Sequence, residues 1–259
     1  MKRCIWLIGG TQESAIAARA IAQENLSCLI SVTTESAISL YPISPSIEVI
    51  VDKLSPNRLL DFLTTNHISV VLDFSHPFAI EISQNAIAAC SHLKIPYLRF
   101  ERESIPNQSI YTNQSPAKSV ASFDQLLSQN LLLNQRVLLT IGYRYLSLFQ
   151  DSQTKSTLFA RIIPSQIALE TALNAGFTSD RIIAFRPPIS YELERSLWQH
   201  WQITTVVTKA SGAPGGEDIK RKIADELGIQ LIIIERPKIE YPQIPSNLEA
   251  SIAFCHQFS

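Results

Sequence analysis

The chain has little charge and almost no excess of either sign. Asp, Glu, Lys and Arg make up 17% of its 259 residues, and the net charge is −1. A nucleic-acid partner is therefore not expected, because a surface that binds phosphate backbones needs a basic excess. No apolar run approaches the roughly 18 residues that cross a bilayer, so no membrane partner is expected either. The apolar start from Met1 ends in the pair Gly9-Gly10, too early for the apolar part of a signal peptide, and it reads as a strand. Cysteines are few: Cys4, Cys28, Cys90 and Cys255, without a C-x-x-C pair and without a histidine at metal-ligand spacing. Reduced thiols of a cytoplasmic protein account for them, and neither a disulfide framework nor a bound metal is expected. Two phosphate-binding signatures are also missing, G-x-G-x-x-G and a glycine loop ending in G-K-[ST].

What is there is apolar and alternating. Residues of apolar type form 46% of the chain, enough for a sizeable core in one large domain or two ordinary ones. Short β-rich runs alternate with helical patterns, the arrangement of parallel sheets with helical crossovers. The pattern predicts strands at 4–8, 28–33, 47–51, 70–74 and 97–100, with helices near 13–23, 56–65 and 79–92. Residues 103–116 read as a polar loop and 117–129 as a helix. Strands follow at 137–141, 157–162, 181–185, 204–208 and 231–234, with helices at 166–175, 191–199, 217–227 and 248–256.

The two halves read as one plan used twice. Gly10 corresponds to Gly142, Val70 to Val206 and Arg102 to Arg236, at offsets of 132, 136 and 134. This places a boundary near residue 134 between domains 1–134 and 135–259. Each is expected to be a flavodoxin-like (Rossmann-like), doubly wound α/β domain with a parallel sheet of about five strands. Ligands of such a pair are expected in the cleft between the carboxyl ends of the two sheets.

Three stretches have the chemistry for such a site. Gly9, Gly10, Thr11, Gln12, Glu13 and Ser14 join the first strand to the first helix. Glycines there admit a phosphate close to the backbone, and a helix start offers free N–H groups and a positive dipole end. The plain alternative is a strand–helix turn with Thr11 as N-cap. Ser75, His76, Pro77 and Phe78 end the fourth strand, where a histidine is either a donor to ligand or a structural group. Thr208 to Gly216 leaves a strand with Lys209, Ser211, Gly212, Gly215 and Gly216 and enters a helix. It reads as an anion cradle or a solvated loop, with its lysine at the surface.

Taken in order, Gly9-Gly10-Thr11-x-Glu13, Thr33-Thr34 and Ser75-His76-Pro77-Phe78-Ala79 resemble the N-terminal half of the precorrin-6A and cobalt-precorrin-6A reductases. The resemblance continues through Pro96-Tyr97-Leu98-Arg99, Glu101-Arg102 and Ala160-Arg161-Ile162. It ends with Thr208-Lys209-x-Ser211-Gly212-x-x-Gly215-Gly216-x-x-x-Lys220 and Glu235-Arg236-Pro237. It implies an NADPH-dependent oxidoreductase of cobalamin biosynthesis that reduces one double bond of a corrin-type macrocycle. Gly9 to Ser14 would then approach the cofactor phosphates, and Thr33 and Thr34 its adenosine ribose. Ser75 to Phe78 with Thr140 and Gly142 would flank the nicotinamide. Arg102, Arg144 and Lys209, with Ser211, Gly212, Gly215 and Gly216, would hold the carboxylate-rich tetrapyrrole. His76 and Lys209 are candidate proton donors, beside solvent. Three stretches depart from the family pattern: Glu35-Ser36-Ala37, Asp52-Lys53-Leu54 and Arg186-Pro187-Pro188. They leave open which residue meets the ribose 2′-phosphate. An NAD(P)-binding sensor and a dehydrogenase of another small substrate are the competing readings. Oligomeric state and the presence of cobalt in the substrate are not legible.

Overall fold

The computed structural model describes residues 3–105 and 117–258. In chain order the first strands are β1 (Cys4–Ile8), β2 (Cys28–Val32), β3 (Ile47–Val51), β4 (Ile68–Asp73) and β5 (Tyr97–Arg99), interleaved with α1 (Gln12–Gln23), α2 (Pro56–Thr65) and α3 (Ile80–Leu93). Then come β6 (Lys118–Val120), α4 (Phe123–Ser128), β7 (Arg136–Leu139), β8 (Thr157–Ile162), α5 (Gln166–Asn174), β9 (Ile182–Ala184) and α6 (Tyr191–His200). The chain finishes with β10 (Thr205–Lys209), α7 (Glu217–Leu227), β11 (Gln230–Ile234) and α8 (Leu248–His256). No helix among the described residues is long and apolar enough to cross a membrane.

The chain forms two compact units, residues 1–102 with 238–259 and residues 103–237. The first holds a fully parallel sheet in the order β3-β2-β1-β4-β5. Its central strands are apolar at successive positions because both faces are covered, as parallel sheets require. Side chains alternate between faces. Ile5, Leu7, Val70 and Leu72 pack with Ala15, Ala18 and Ile21 of α1 and Phe254 and Cys255 of α8. Trp6, Ile8 and Val71 pack on the opposite face with Leu59 and Leu63 of α2 and Ala86, Ala89 and Cys90 of α3.

The second unit has six parallel strands, in the order β6-β11-β10-β7-β8-β9. Without β6 this order is that of the first sheet, with β7 to β11 in the places of β1 to β5. The repeat seen in the sequence is thus a repeat of topology.

Four expectations need correction. Both sheets have the 3-2-1-4-5 order of dinucleotide-binding sheets, not the 2-1-3-4-5 order of flavodoxin. The helix expected over 117–129 is the edge strand β6 followed by α4, which starts where Ser122 accepts the Gln125 N–H. The sheet after it therefore has six strands, not five. The units meet at 102/103, not near 134, and residues 238–259 return to the first unit because α8 covers the apolar face beside α1. Most of the loop expected at 103–116 lies outside the described residues.

Candidate functional site

In the first sheet β1 and β4 are neighbours while their connections run to opposite sides. That is the switch point at which α/β sheets bind ligands. Gly9 to Ser14 leave β1 there, and Phe74 to Ala79 leave β4. Thr11 ties the two segments together, its hydroxyl donating to the Phe74 carbonyl at 2.8 Å. Thr11 is also the N-cap of α1, its Oγ1 accepting the Ser14 N–H at 3.1 Å while Ser14 Oγ accepts the Thr11 N–H at 3.1 Å. The two readings of this turn are compatible, because capping uses only some of its donors. The Gly10 N–H donates to the Tyr41 hydroxyl at 2.7 Å. Among the described residues no acceptor meets the N–H groups of Gln12 and Glu13, which stay open at the positive end of the helix.

Both glycines are required. A Cβ on Gly9 would overlap the Tyr41 hydroxyl, whereas Gly10 has φ +97° and a Cβ there would stand in open space. That open space over two uncommitted N–H groups fits a phosphate-bearing nucleotide. Glu13 would oppose an anion at this turn, but it is paired. Its Oε2 accepts from Arg102 Nη2 at 2.9 Å and its Oε1 lies 2.5 Å from Arg102 Nε. Arg102, expected to hold substrate carboxylates, is thus engaged in balancing the charge beside the turn.

Asp73, which the motif reading did not single out, organises the end of β4. It is fully buried. Its Oδ1 accepts from the Ser75 N–H at 2.9 Å and Arg99 Nη1 at 2.8 Å, and its Oδ2 from Ser83 at 2.6 Å and Tyr97 at 2.5 Å. Arg99 Nη1 also donates to Ser75 Oγ at 2.8 Å and Arg99 Nε to Glu101 at 2.6 Å. Burial works against the Arg99 charge, but Asp73 and Glu101 more than restore it. Burial and the Asp73 carboxylate keep the Tyr97 phenol protonated. Ser75 is therefore held by both backbone and side chain. One residue on, His76 is half-buried and its Nδ1 accepts the Phe78 N–H at 3.2 Å. This bond places the proton of the neutral ring on Nε2. Pro77 and Phe78 are buried, and Ala79 N–H closes the turn on the His76 carbonyl at 2.7 Å. At the end of β2, Thr33 is exposed and Thr34 Oγ1 lies 3.3 Å from Ser36 Oγ. At the end of β3, Asp52 pairs with Arg58 at 2.7 Å.

In the second unit the carboxyl ends of β7 and β10 bring Thr140, Gly142, Arg144 and Lys209 together. Thr140 donates through both N–H and hydroxyl to the Val207 carbonyl, at 2.9 and 3.1 Å, so it ties the β7 end to β10. A Cβ on Gly142 would stand 3.9 Å from Lys209 Nζ. The Lys209 ammonium lies 5.2 Å from the centre of the Tyr145 ring, and burial with the Arg144 charge brings its pKa down to about 8. Lys209 is half-buried, not a surface lysine. Arg144 is exposed, its guanidinium 5.8 Å from the Tyr143 ring centre.

The Ser211–Gly216 loop is built differently from a solvated cradle. Ser211 and Gly212 are buried, and the Gly212 N–H donates to the Glu217 carboxylate at 2.9 Å. Glu217 opens α7 and is held by Arg221 through Nε at 3.0 Å and Nη2 at 2.8 Å. The buried Lys220 donates to the carbonyls of Gly215 and Gly216, each at 3.0 Å. Burial and the nearby Arg161 charge lower Lys220 to about 7, against the pull of Glu194, Glu217 and Asp218. The chain's own carboxylate thus sits at this helix start, and the loop is shaped from inside by Glu217, Lys220 and Arg221. Of these only Lys220 stood in a recognised motif. The signal for the others was a charge pair four residues apart on a helix that also has to bury a face.

Residues 4–256 match the family model described as Precorrin-6x reductase CbiJ/CobK. The chain is 45% identical over 253 residues to the cobalt-precorrin-6A reductase of Synechocystis sp., covering 98% of this chain and 96% of that one. It is 31% identical to the cobalt-precorrin-6A reductase of Priestia megaterium, covering 95% of each. It is 27% identical to the precorrin-6A reductase of Rhodobacter capsulatus, covering 94% of this chain and 92% of that one. A solved structure titled CobK precorrin-6A reductase superposes with a TM-score of 0.78 at 25% identity, covering 100% of this chain and 98% of that one. With nearly its whole length matched in sequence and in fold, the chain belongs to the precorrin-6x reductase family.

Proposed function

We propose that the protein is an NADPH-dependent reductase of cobalt-precorrin-6A, acting on one double bond of the macrocycle. The cobalt-bearing substrate is preferred because the relatives at 45% and 31% identity are named for it, and the cobalt-free name belongs to relatives at 27% and 29%. The observation that carries the cofactor reading is the Gly10 turn at the switch point of the first sheet, with the Gln12 and Glu13 N–H groups open beside it. When bound, NADPH supplies the two electrons and one hydrogen, and a proton completes the addition.

The chain's own residues do the rest. The N–H groups of Gln12 and Glu13 and the α1 dipole face the phosphates, and Arg102 cancels the Glu13 charge that would repel them. The hydroxyls of Thr33 and Thr34, at the end of β2, are assigned to the adenosine ribose. The network around Asp73 and Arg99 fixes Ser75 and so presents His76, which is assigned the part of proton donor. In the second unit Arg144 and Lys209 form a cationic pair suited to substrate carboxylates. Thr140 and Gly142 line that edge. Ser211, Gly212, Gly215 and Gly216 shape the backbone next to Lys209. A cytoplasmic location belongs to the same proposal.

The experiment mixes purified protein with cobalt-precorrin-6A and either NADPH or NADH, following macrocycle absorbance and nucleotide oxidation together. The expected result is equimolar oxidation of NADPH and loss of the substrate chromophore, with NADH markedly poorer. Nucleotide binding without turnover would favour a sensor and overturn the reading.

A further inference from the structure

Tyr41 follows the 3-10 turn Glu35–Leu40, which itself follows β2 and the residues Thr33 and Thr34. Its ring belongs to the core cluster that includes Ile30, Ala15 and Ala18, and only 8% of the residue is exposed. Its hydroxyl reaches the start of α1, accepting the Gly10 N–H at 2.7 Å and lying 2.8 Å from Ser14 Oγ. Ser14 gives its one proton to the Thr11 carbonyl at 2.7 Å, so the Tyr41 hydroxyl donates to Ser14. Burial raises the Tyr41 pKa, which keeps this donor protonated. The same hydroxyl occupies the space that a Cβ on Gly9 would take.

We infer that Tyr41 is a positioning residue for the dinucleotide. Its hydroxyl commits the Gly10 N–H inward and fixes the turn so that the Gln12 and Glu13 N–H groups face the ligand. Tyr41 also ties the phosphate turn to the segment that carries Thr33 and Thr34. The two ends of one nucleotide would then meet a single braced piece of backbone instead of two independent loops. The inference rests on the proposed reading of Gly9–Ser14 as the phosphate turn. It assigns Tyr41 no part in the chemistry, since its hydroxyl is committed to the Gly10 N–H and Ser14 Oγ.

The test is an equilibrium titration of NADPH fluorescence without the tetrapyrrole, for the wild type, Tyr41→Phe, Gly9→Ala and the double variant. Tyr41→Phe should weaken NADPH binding about threefold to tenfold, the effect of losing one ordinary hydrogen bond. In turnover assays KM for NADPH should rise by the same factor, while kcat and KM for the tetrapyrrole change less than about twofold. Gly9→Ala should weaken binding more, through displacement of the hydroxyl. Part of that extra loss should disappear in the Tyr41→Phe background, where the contacts with Ile30 Cγ2 and the ring carbon at 3.0 and 3.1 Å remain. Unchanged or tighter NADPH binding by Tyr41→Phe overturns the inference and leaves the cofactor reading intact. Independent, multiplying effects of the two substitutions also overturn it. If Gly9→Ala does not fold, the single Tyr41→Phe titration decides. A wild type that does not bind NADPH overturns the cofactor reading and this inference together.

Discussion

Arg99→Met tests whether the buried network at the end of β4 holds the Ser75–Phe78 turn. The side chains of Arg99 and Asp73 are 1% and 0% exposed and lie 2.8 Å apart. Removing the guanidinium leaves a fully buried carboxylate with its Ser75, Ser83 and Tyr97 donors but no cation. It also removes the Arg99 bonds to the Ser75 hydroxyl and the Glu101 carboxylate. Breaking a buried pair from one side typically costs about 3–5 kcal/mol. At a few degrees per kcal/mol this is a fall of roughly 10 °C or more in the melting temperature. Asp73→Asn should also be harmful, because the arginine then keeps only Glu101 of its two anions. The double variant should recover about 1–3 kcal/mol relative to the sum of the singles, because no fully buried charge is left uncompensated, Glu101 being partly exposed. Thermal unfolding of the four proteins measures the coupling, and NADPH titration of the folded variants reads the turn. Additive melting shifts, or an Arg99→Met protein as stable as the wild type, would refute the reasoning.

Lys209 gives a pH prediction. Its folded pKa of about 8 lies below the usual value for a lysine, so it loses its charge in the folded protein as pH rises through about 8. For tetrapyrrole, kcat/KM should fall above that pH, Lys209→Arg should flatten the profile, and a wild-type profile level to pH 9 would contradict the role. The sign for stability is opposite. Between about 8 and the ordinary lysine value the unfolded chain binds more protons, so Lys209 makes stability rise with pH there, which melts of wild type and Lys209→Met should show. Arg102→Ala should weaken NADPH binding roughly tenfold and more at low salt, because it leaves Glu13 unbalanced at the phosphate turn; a salt-independent or absent effect counts against that placement. His76→Ala should lower kcat by about 100-fold with NADPH affinity little changed, and a loss confined to affinity would make His76 a binding group.

How much of this was legible follows from the range of the interactions. β1, β3, β8, α2, α7 and α8 have the limits expected from local pattern, because apolar runs, prolines and caps are local signals. The strand β6 was not visible. Lys118, Ser119 and Val120 are three residues at a sheet edge with one buried side chain, and they carry no period. The return of α8 to the first unit depends on contacts across more than 200 residues, which an internal repeat cannot reveal. The Gly9–Ser14 turn was readable as a place for phosphate, but not which N–H groups remain open. That depends on Tyr41, 31 residues from Gly10. In the same way Arg102 looked like a cation for substrate until its partner Glu13, 89 residues away, was seen. Asp73 ending Val70-Val71-Leu72 and Arg99 ending Tyr97-Leu98 were the readable hint. Opposite charges at the ends of two buried strands call for a partner.

The central claim is that NADPH reduces the corrin precursor directly on this protein. The most direct test incubates the enzyme with cobalt-precorrin-6A and NADPH carrying two deuterium atoms at nicotinamide C4, then measures the product by mass spectrometry. The account predicts product with a single deuterium from the nucleotide and one solvent proton. Product that takes no label from NADPH, or no product at all with the nucleotide bound, would contradict it.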